Sequence, residues 1–133
     1  MNTKDKLPEI RKTIILNAQI EKVWKAVSTS EGLAAWWMPN TFEPALGKDF
    51  VLHAGPYGDS PCTVTELEPP HRLGFDWDKG WHLTFELKEL EGQQTEFTLI
   101  HSGWNAEQAP VRDTMNGGWE KIVKVKLPAY IEV

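Results

Sequence analysis

The sequence predicts an α+β fold in which a curved antiparallel sheet of about six strands wraps round a long C-terminal helix. Three observations support this prediction. Apolar residues have helical spacing near the N-terminus, alternate at every second position between residues 42 and 101, and return to helical spacing after residue 111. Turn-forming residues separate the alternating stretches, which indicates hairpin connections. A sheet with one apolar face needs a cover, and the last helix is the only predicted element large enough to provide it.

A strand and a short helix open the predicted fold. Residues 9–16 alternate in the manner of a strand, with Ile10, Ile14 and Leu16 on the apolar face. Asn17 can cap the helix that follows. The apolar stripe of this helix has the spacing i, i+3, i+4 and i+7 and consists of Ile20, Val23, Trp24 and Val27.

A second short helix is expected between Ser30, which can cap it, and Pro39, which ends it. Leu33, Trp36 and Trp37 share one face of this helix. Adjacent helical residues project about 100° apart, so one of the two tryptophans can pack in the core while the other faces the mouth of a pocket.

The remaining strands form a hairpin-linked run. Alternation predicts them at residues 50–54, 62–68, 72–77, 81–88 and 96–101. Asp78-Lys79-Gly80 is typical of a hairpin turn. Trp77 and Trp81 flank this turn, so they either pair across the hairpin or form the rim of a cavity at one end of the sheet.

The final helix is predicted from about Val111 to near the C-terminus, after a loop over residues 102–110. Residues 123–127 also alternate, so a strand is the competing interpretation. Pro128 is expected to kink or fray the last turn. The Gly117-Gly118 pair indicates a close approach of helix and sheet, a helix that starts near Gly118, or a hinge that lets the helix lift.

Composition favours one domain over residues 1–133 and excludes several function classes. The net charge of −5 argues against nucleic-acid binding, which requires a basic patch. The sequence contains no apolar run long enough to span a membrane and no signal-peptide pattern, so membrane insertion is not expected. Cys62 is the only cysteine, so no intrachain disulfide can form, and a cytoplasmic location is expected.

The histidines and the cysteine give few chemical leads. No two histidines have the spacing of a zinc site, so neither a metal nor a cofactor is predicted. His53 and His82 are expected at the surface, and Cys62 is expected to be a small buried hydrophobe. His101 shares the inward face with Phe97 and Leu99, where it can orient a ligand, act as an acid or base, or simply be a hydrogen-bonded histidine at a strand end.

Four ordered segments of the chain resemble a known family. They are Ile20–Val27 followed by Leu33 and Trp36-Trp37, then Gly47–Phe50, then Leu73–Trp77 with Trp81–Leu87, and finally Gly118–Ile122. On these residues the chain resembles the START-like, helix-grip superfamily, and more narrowly the bacterial activator of heat shock protein 90 ATPase homologue family. The resemblance implies a pocket between the sheet and the C-terminal helix that takes a hydrophobic molecule, and it implies no catalytic set. Pro128 and Gly117-Gly118 depart from the smooth last helix of the family.

The pocket candidates are apolar or aromatic residues predicted on the inward faces, together with Trp104, which lies in a loop and is either a lid or a plug of the core. They are Trp37, Phe50, Leu52, Trp77, Phe85, Leu99, His101, Trp104, Met115 and Trp119.

Two function classes follow, and a third comes from the family name. The first is a monomeric, non-enzymatic protein that binds a hydrophobic small molecule, either lipid-like or aromatic and polyketide-like. The second is a cyclase or hydrolase that uses the same pocket, with His101 and a carboxylate such as Asp76 in acid–base roles. The third is a co-chaperone-like stress-response protein that contacts a chaperone.

Overall fold

Six strands and a C-terminal helix make up most of the protein in the computed structural model, which describes residues 6–78 and 80–132. The strands and the two N-terminal helices follow the chain as β1 Ile10–Leu16, α1 Ile20–Val27, α2 Ser30–Trp36, β2 Asp49–His53, β3 Asp59–Glu68, β4 Arg72–Trp77, β5 Trp81–Leu90 and β6 Gln94–Ser102.

The six strands form one curved antiparallel sheet in the order β1-β6-β5-β4-β3-β2. Each of the strands from β2 to β6 pairs with its neighbour in sequence, and β1 closes the far edge against β6. Alternate residues of these strands point to the concave face, where the hydrophobic core lies. The α+β prediction and the hairpin order are therefore confirmed.

The two short helices follow β1 as predicted, but their caps differ from those expected. The N-cap of α1 is Gln19 instead of Asn17, whose side chain accepts a hydrogen bond from Gln94 instead. The N-cap of α2 is Thr29, whose hydroxyl accepts from the backbone of Gly32 at 3.0 Å. Trp36 then donates its indole N–H to the carbonyl of Ala26 at 2.9 Å, and this bond ties α2 to the end of α1.

The C-terminal helix, residues 109–131, consists of three consecutive segments: α3 Ala109–Lys121, a π-helical turn Ile122–Lys126, and α4 Leu127–Ile131. The competing strand interpretation of residues 123–127 is therefore wrong. The helix continues past Pro128 because the turn before it widens, with the N–H of Leu127 bonded to the carbonyl of Ile122.

The widened turn also explains which helical residues are buried. Trp119, Val123, Leu127 and Ile131 are buried at a constant spacing of four residues. In a regular α-helix such a row drifts by about 40° at each step. A wider turn rotates less per residue, so the row stays against the sheet. None of the helices in residues 6–78 and 80–132 has the length and apolar character needed to cross a bilayer.

Gly117 and Gly118 lie in the exposed middle of α3, and a Cβ added to either would meet nothing within 4 Å. The predicted close approach of helix and sheet at these glycines is therefore wrong. The predicted helix start near Gly118 is also wrong, because α3 begins at Ala109. Of the three interpretations, only the hinge remains.

Replacing either glycine by alanine is expected to raise the free energy of unfolding by about 0.5–1 kcal/mol, because alanine is the better helix former and here meets no neighbour. Urea denaturation of Gly117→Ala and Gly118→Ala measures this. Gly32→Ala is the control, because its Cβ would lie 2.4 Å from the carbonyl oxygen of Ala26 and should destabilise the protein. A loss of stability in Gly117→Ala would show that α3 needs glycine for its conformation.

Candidate functional site: an aromatic cluster around His101

Six of the seven tryptophans belong to one connected set of ring contacts between the sheet and the C-terminal helix. We call this set, together with the histidine that it surrounds, the aromatic cluster. Its members are Trp36, Trp37, Trp77, Trp81, Trp104, Trp119 and His101.

Each part of the fold contributes to the cluster. Trp77 and Trp81 are paired residues of the β4–β5 hairpin, and their ring centroids lie 5.2 Å apart at 83°. This edge-to-face pairing is one that aromatic quadrupoles favour. Trp119 extends from the C-terminal helix towards Trp37 at the end of α2, with centroids 5.2 Å apart.

His101 on β6 lies at the centre of the cluster and is completely buried. Its ring stacks on Trp77 at 5.1 Å and lies 4.4 Å from the ring of Trp104. The indole N–H of Trp119 donates to Nδ1 of His101 at 3.0 Å. Burial, with a smaller contribution from the charge of Arg112, lowers the pKa of His101 to about 3, so the imidazole is neutral at pH 7.

The hydrogen bond from Trp119 determines the tautomer of His101. An indole N–H can only donate, so Nδ1 must be the acceptor and the proton of the neutral ring lies on Nε2. Nε2 is buried and has no hydrogen-bond partner among the described residues. The same is true of Nε1 of Trp77. Two ring N–H donors therefore lie unpaired inside the cluster.

Trp104 closes the cluster as a plug, since it is only 2% exposed and donates its indole N–H to the carbonyl of His101 at 3.0 Å. The chain reaches this position through Gly103, which has φ +93° and lies against the backbone of Gly80. Leu7 donates its N–H to the carbonyl of Trp104 at 3.2 Å, so the N-terminal segment holds the loop from outside.

Most of the predicted pocket residues lie in the core. Trp37 and Met115 are partly buried and pack against it. The other eight are buried: Phe50, Leu52, Trp77, Phe85, Leu99, His101, Trp104 and Trp119. Rings thus occupy the space in which the resemblance placed a pocket.

Sequence reasoning left Trp36, Trp81 and Phe75 out of the predicted pocket. Phe75 bridges Phe50 and Trp37, with centroid distances of 5.0 and 6.3 Å. Of the two alternatives for Trp77 and Trp81, the pair across the hairpin is confirmed, and because paired residues share a face it also places Trp81 in the site.

An open depression of about 490 Å³ lies against strands β2 to β4. Phe50 and Trp77 are the only predicted pocket residues among those that line it, and exposed Asp49 and Asp76 give it an acidic rim. Cys62 is also part of its lining, but burial raises the pKa of this thiol to about 12, so it stays protonated and is a poor nucleophile.

The structure does not bring Asp76 and His101 together. The Asp76 carboxylate lies 2.9 Å from Nδ1 of His82, on the outer face of the sheet, whereas His101 points into the core. His82 also lies 3.3 Å from Glu66 and is only partly exposed, so it belongs to a polar network instead of standing alone at the surface. The acid–base pair suggested for an enzyme is therefore not formed. Within the described part of the chain, no three side chains of the metal-ligating types converge.

A curved antiparallel sheet that wraps round a long C-terminal helix, with short helices after the first strand, is the helix-grip fold. The family model described as "Activator of Hsp90 ATPase homolog 1-like protein" matches residues 17–132. The chain therefore belongs to this family. A comparison with curated proteins finds no match.

Several solved structures have the same fold. Protein BH1534 from Bacillus halodurans is 46% identical, with a TM-score of 0.86 and coverage of 96% of this chain and 99% of that one. The Aha1 dimer from Colwellia psychrerythraea is 23% identical, with a TM-score of 0.83 and coverage of 96% and 98%. DynU16, from the dynemicin biosynthetic locus, is 21% identical over 96% of this chain and 48% of its own, with a TM-score of 0.81.

The buried neutral state of His101 predicts how stability depends on pH. The unfolded chain takes up a proton near pH 6.5, whereas the native protein does not do so until about pH 3. The contribution of His101 is therefore fully present above pH 6.5 and is lost as the pH falls towards 3, at up to about 1.4 kcal/mol per pH unit.

Urea unfolding between pH 7 and 4.5 tests this, with His101→Phe as the matched variant that keeps a ring but cannot titrate. The decline in stability should be steeper in the wild type than in the variant. An NMR titration of the imidazole Cε1–H in the wild-type protein gives an independent reading. A His101 signal that titrates near pH 6.5 would contradict the buried neutral ring.

The contact between Gly103 and Gly80 predicts that Gly103→Ala will destabilise the protein much more than Gly80→Ala. Both glycines have positive φ, but a Cβ at Gly103 would lie 2.3 Å from the carbonyl oxygen of Gly80, whereas one at Gly80 would meet nothing within 4 Å. We expect a loss of about 1 kcal/mol for Gly80→Ala from the backbone conformation alone, and a larger loss for Gly103→Ala. Thermal unfolding of the two variants compares them, and equal losses would show that the loop is free to move.

Proposed function

We propose that this protein binds a hydrophobic, aromatic small molecule without transforming it, in the seam between the sheet and the C-terminal helix. The proposal rests on one observation: the seam is lined almost continuously by aromatic rings, and one of them, Trp37, is only partly buried. A flat apolar molecule can stack in such a seam, where its contacts with the rings replace contacts that the rings make with one another.

Trp37 has the geometry of an entrance to the seam. Its ring contacts Phe75 and Trp77 on the sheet and Trp119 on the helix, with centroids 6.3, 5.6 and 5.2 Å away. A rotation of this one side chain would open a space bounded by rings from both layers. Because Trp37 directly follows α2, this rotation needs no change in the sheet.

The first half of the C-terminal helix supports the same entrance. Within α3, Trp119 is the only buried residue, so residues 109–118 hold the sheet weakly. The Gly117-Gly118 pair lies immediately before Trp119, and a Cβ added to either glycine would meet nothing within 4 Å, which suits a hinge between the loosely held and the firmly packed parts of the helix.

The chemistry of the seam favours binding over catalysis. A histidine with a pKa of about 3 is a weak base at pH 7, and the thiol of Cys62 stays protonated. Our proposal therefore includes no catalytic residue. It also includes no chaperone contact, and it treats the protein as a monomer that binds one ligand in the cytoplasm.

Equilibrium dialysis of purified protein against a panel of flavonoids, polyketides and lipids tests the proposal. We expect saturable binding of aromatic compounds at a stoichiometry of one per chain. Trp37→Leu should weaken that binding about tenfold or more, because the rotated Trp37 ring would stack on the bound ligand and a leucine side chain cannot.

Trp24→Leu is the matched control, since Trp24 on α1 is also a partly buried tryptophan but makes no ring contact with the aromatic cluster among the described residues. Its affinity should stay within about twofold of the wild type. Amide NMR shifts on ligand addition should map to residues 37, 77 and 119, and light scattering should report a single copy of the chain. No saturable binding across the panel, or equal losses in both variants, would refute the proposal.

A further inference from the structure

We infer that the ligand of the aromatic cluster is a neutral aromatic ketone, or another planar molecule with a carbonyl oxygen, which accepts hydrogen bonds from Nε2–H of His101 and Nε1–H of Trp77. This inference rests on the proposed function and adds to it the polar group that the ligand must carry.

The first step is that both unpaired groups are donors. Trp119 donates to Nδ1 of His101, which leaves the imidazole proton on Nε2. The indole nitrogen of Trp77 also carries a proton and has no lone pair to offer. Neither nitrogen has a partner among the described residues, and their side chains are at least nine-tenths buried. A ligand group that can only donate hydrogen bonds would therefore find no partner at either nitrogen.

The second step is that the two donors lie on neighbouring rings of the cluster. The rings of Trp77 and His101 stack with centroids 5.1 Å apart and planes only 22° from parallel. Trp77 also touches Trp37, the partly buried ring at the entrance, at 5.6 Å. A molecule that enters past Trp37 meets Trp77 first and His101 behind it.

The third step excludes a charged ligand. The rings of Trp77, Trp81, Trp104 and Trp119 surround His101, so a carboxylate would lose its hydration and gain only neutral donors. The positive charge of Arg112 lowers the pKa of His101, and the same charge favours the partial negative charge of a carbonyl oxygen close to the imidazole. Arg112 itself is already bound to the carbonyl of Pro8 at 2.8 Å. A carbonyl dipole satisfies the donors without the cost of burying an ion.

A donor that is left without an acceptor is costly in such a buried site, and this cost makes the site selective. A buried donor that a ligand covers without pairing loses its last access to water, and that loss discriminates against the analogue that lacks the acceptor. We therefore expect removal of the carbonyl to lower the affinity more than removal of a polar group from a part of the ligand that stays exposed to water.

Equilibrium dialysis with 9-fluorenone and fluorene tests the inference, because the two probes share one flat skeleton and differ by the carbonyl. We expect 9-fluorenone to bind the wild-type protein at least tenfold more tightly than fluorene. Fluorene-9-carboxylate, the charged probe, should bind more weakly than 9-fluorenone.

Two variants locate the donors. Trp77→Phe and His101→Phe keep an aromatic ring and each remove one of the two donor N–H groups, so each should lower the ratio of 9-fluorenone affinity to fluorene affinity, whatever happens to the binding of the shared skeleton. The infrared carbonyl stretch of bound 9-fluorenone should lie at lower wavenumber in the wild type than in Trp77→Phe, because a hydrogen bond weakens the C=O bond. This measurement decides the matter even if His101→Phe fails to fold.

The outcomes separate the two proposals. Equal binding of 9-fluorenone and fluorene, or tighter binding of the carboxylate, would overturn the acceptor inference and leave the proposed function standing. Tighter binding of 9-fluorenone with an unshifted carbonyl stretch would also overturn it. Binding of none of the probes, together with no binding across the panel, would overturn both.

Discussion

The hydrogen bond from Trp119 to His101 is the interaction on which the arrangement of the two layers depends. It joins the C-terminal helix to the end of β6 on the concave sheet face at 3.0 Å, in a fully buried site. A hydrogen bond of this kind adds only about 0.5–1.5 kcal/mol of net stability, but breaking it would leave a polar atom unpaired in the core. It therefore determines the position of the helix, the tautomer of the imidazole and the direction in which the second ring nitrogen can act.

The aromatic filling of the seam changes what the fold can do. A helix-grip protein with an open chamber would admit a ligand without rearrangement. Here the rings of Trp37, Trp77 and Trp119 already contact one another, so a ligand must replace ring–ring contacts with contacts of its own. In the function proposed here, that exchange would select molecules that are themselves flat and aromatic, since a flexible lipid chain would not restore the lost stacking. The start of α3 has few buried contacts, so the proposed exchange would disrupt little of the core there.

Local sequence patterns predicted the elements more accurately than their ends. Alternation in β4, β5 and β6 correctly indicated the inward faces, since pleated strands repeat every two residues whatever lies beyond them. The helix caps were wrong because several polar residues near each start could serve, and tertiary contacts chose among them. Asn17 instead bonds Gln94 across the sheet edge. The helix is irregular directly before Pro128, where a π turn moves the backbone and keeps the row from Trp119 to Ile131 buried.

The sequence by itself determined the order of strands and helices, the curved sheet with its covering helix, and the placing of His101 on the inward face. These features follow from periodicity and chain order, which act over a few residues. Only the tertiary structure decided that the seam is filled, that Asp76 and His101 lie on opposite faces, and that two ring N–H groups find no partner in the described part of the chain. The physical reason is that ring packing and hydrogen-bond pairing depend on distances between residues far apart in the chain, such as residues 77, 101 and 119, and no local pattern records those distances.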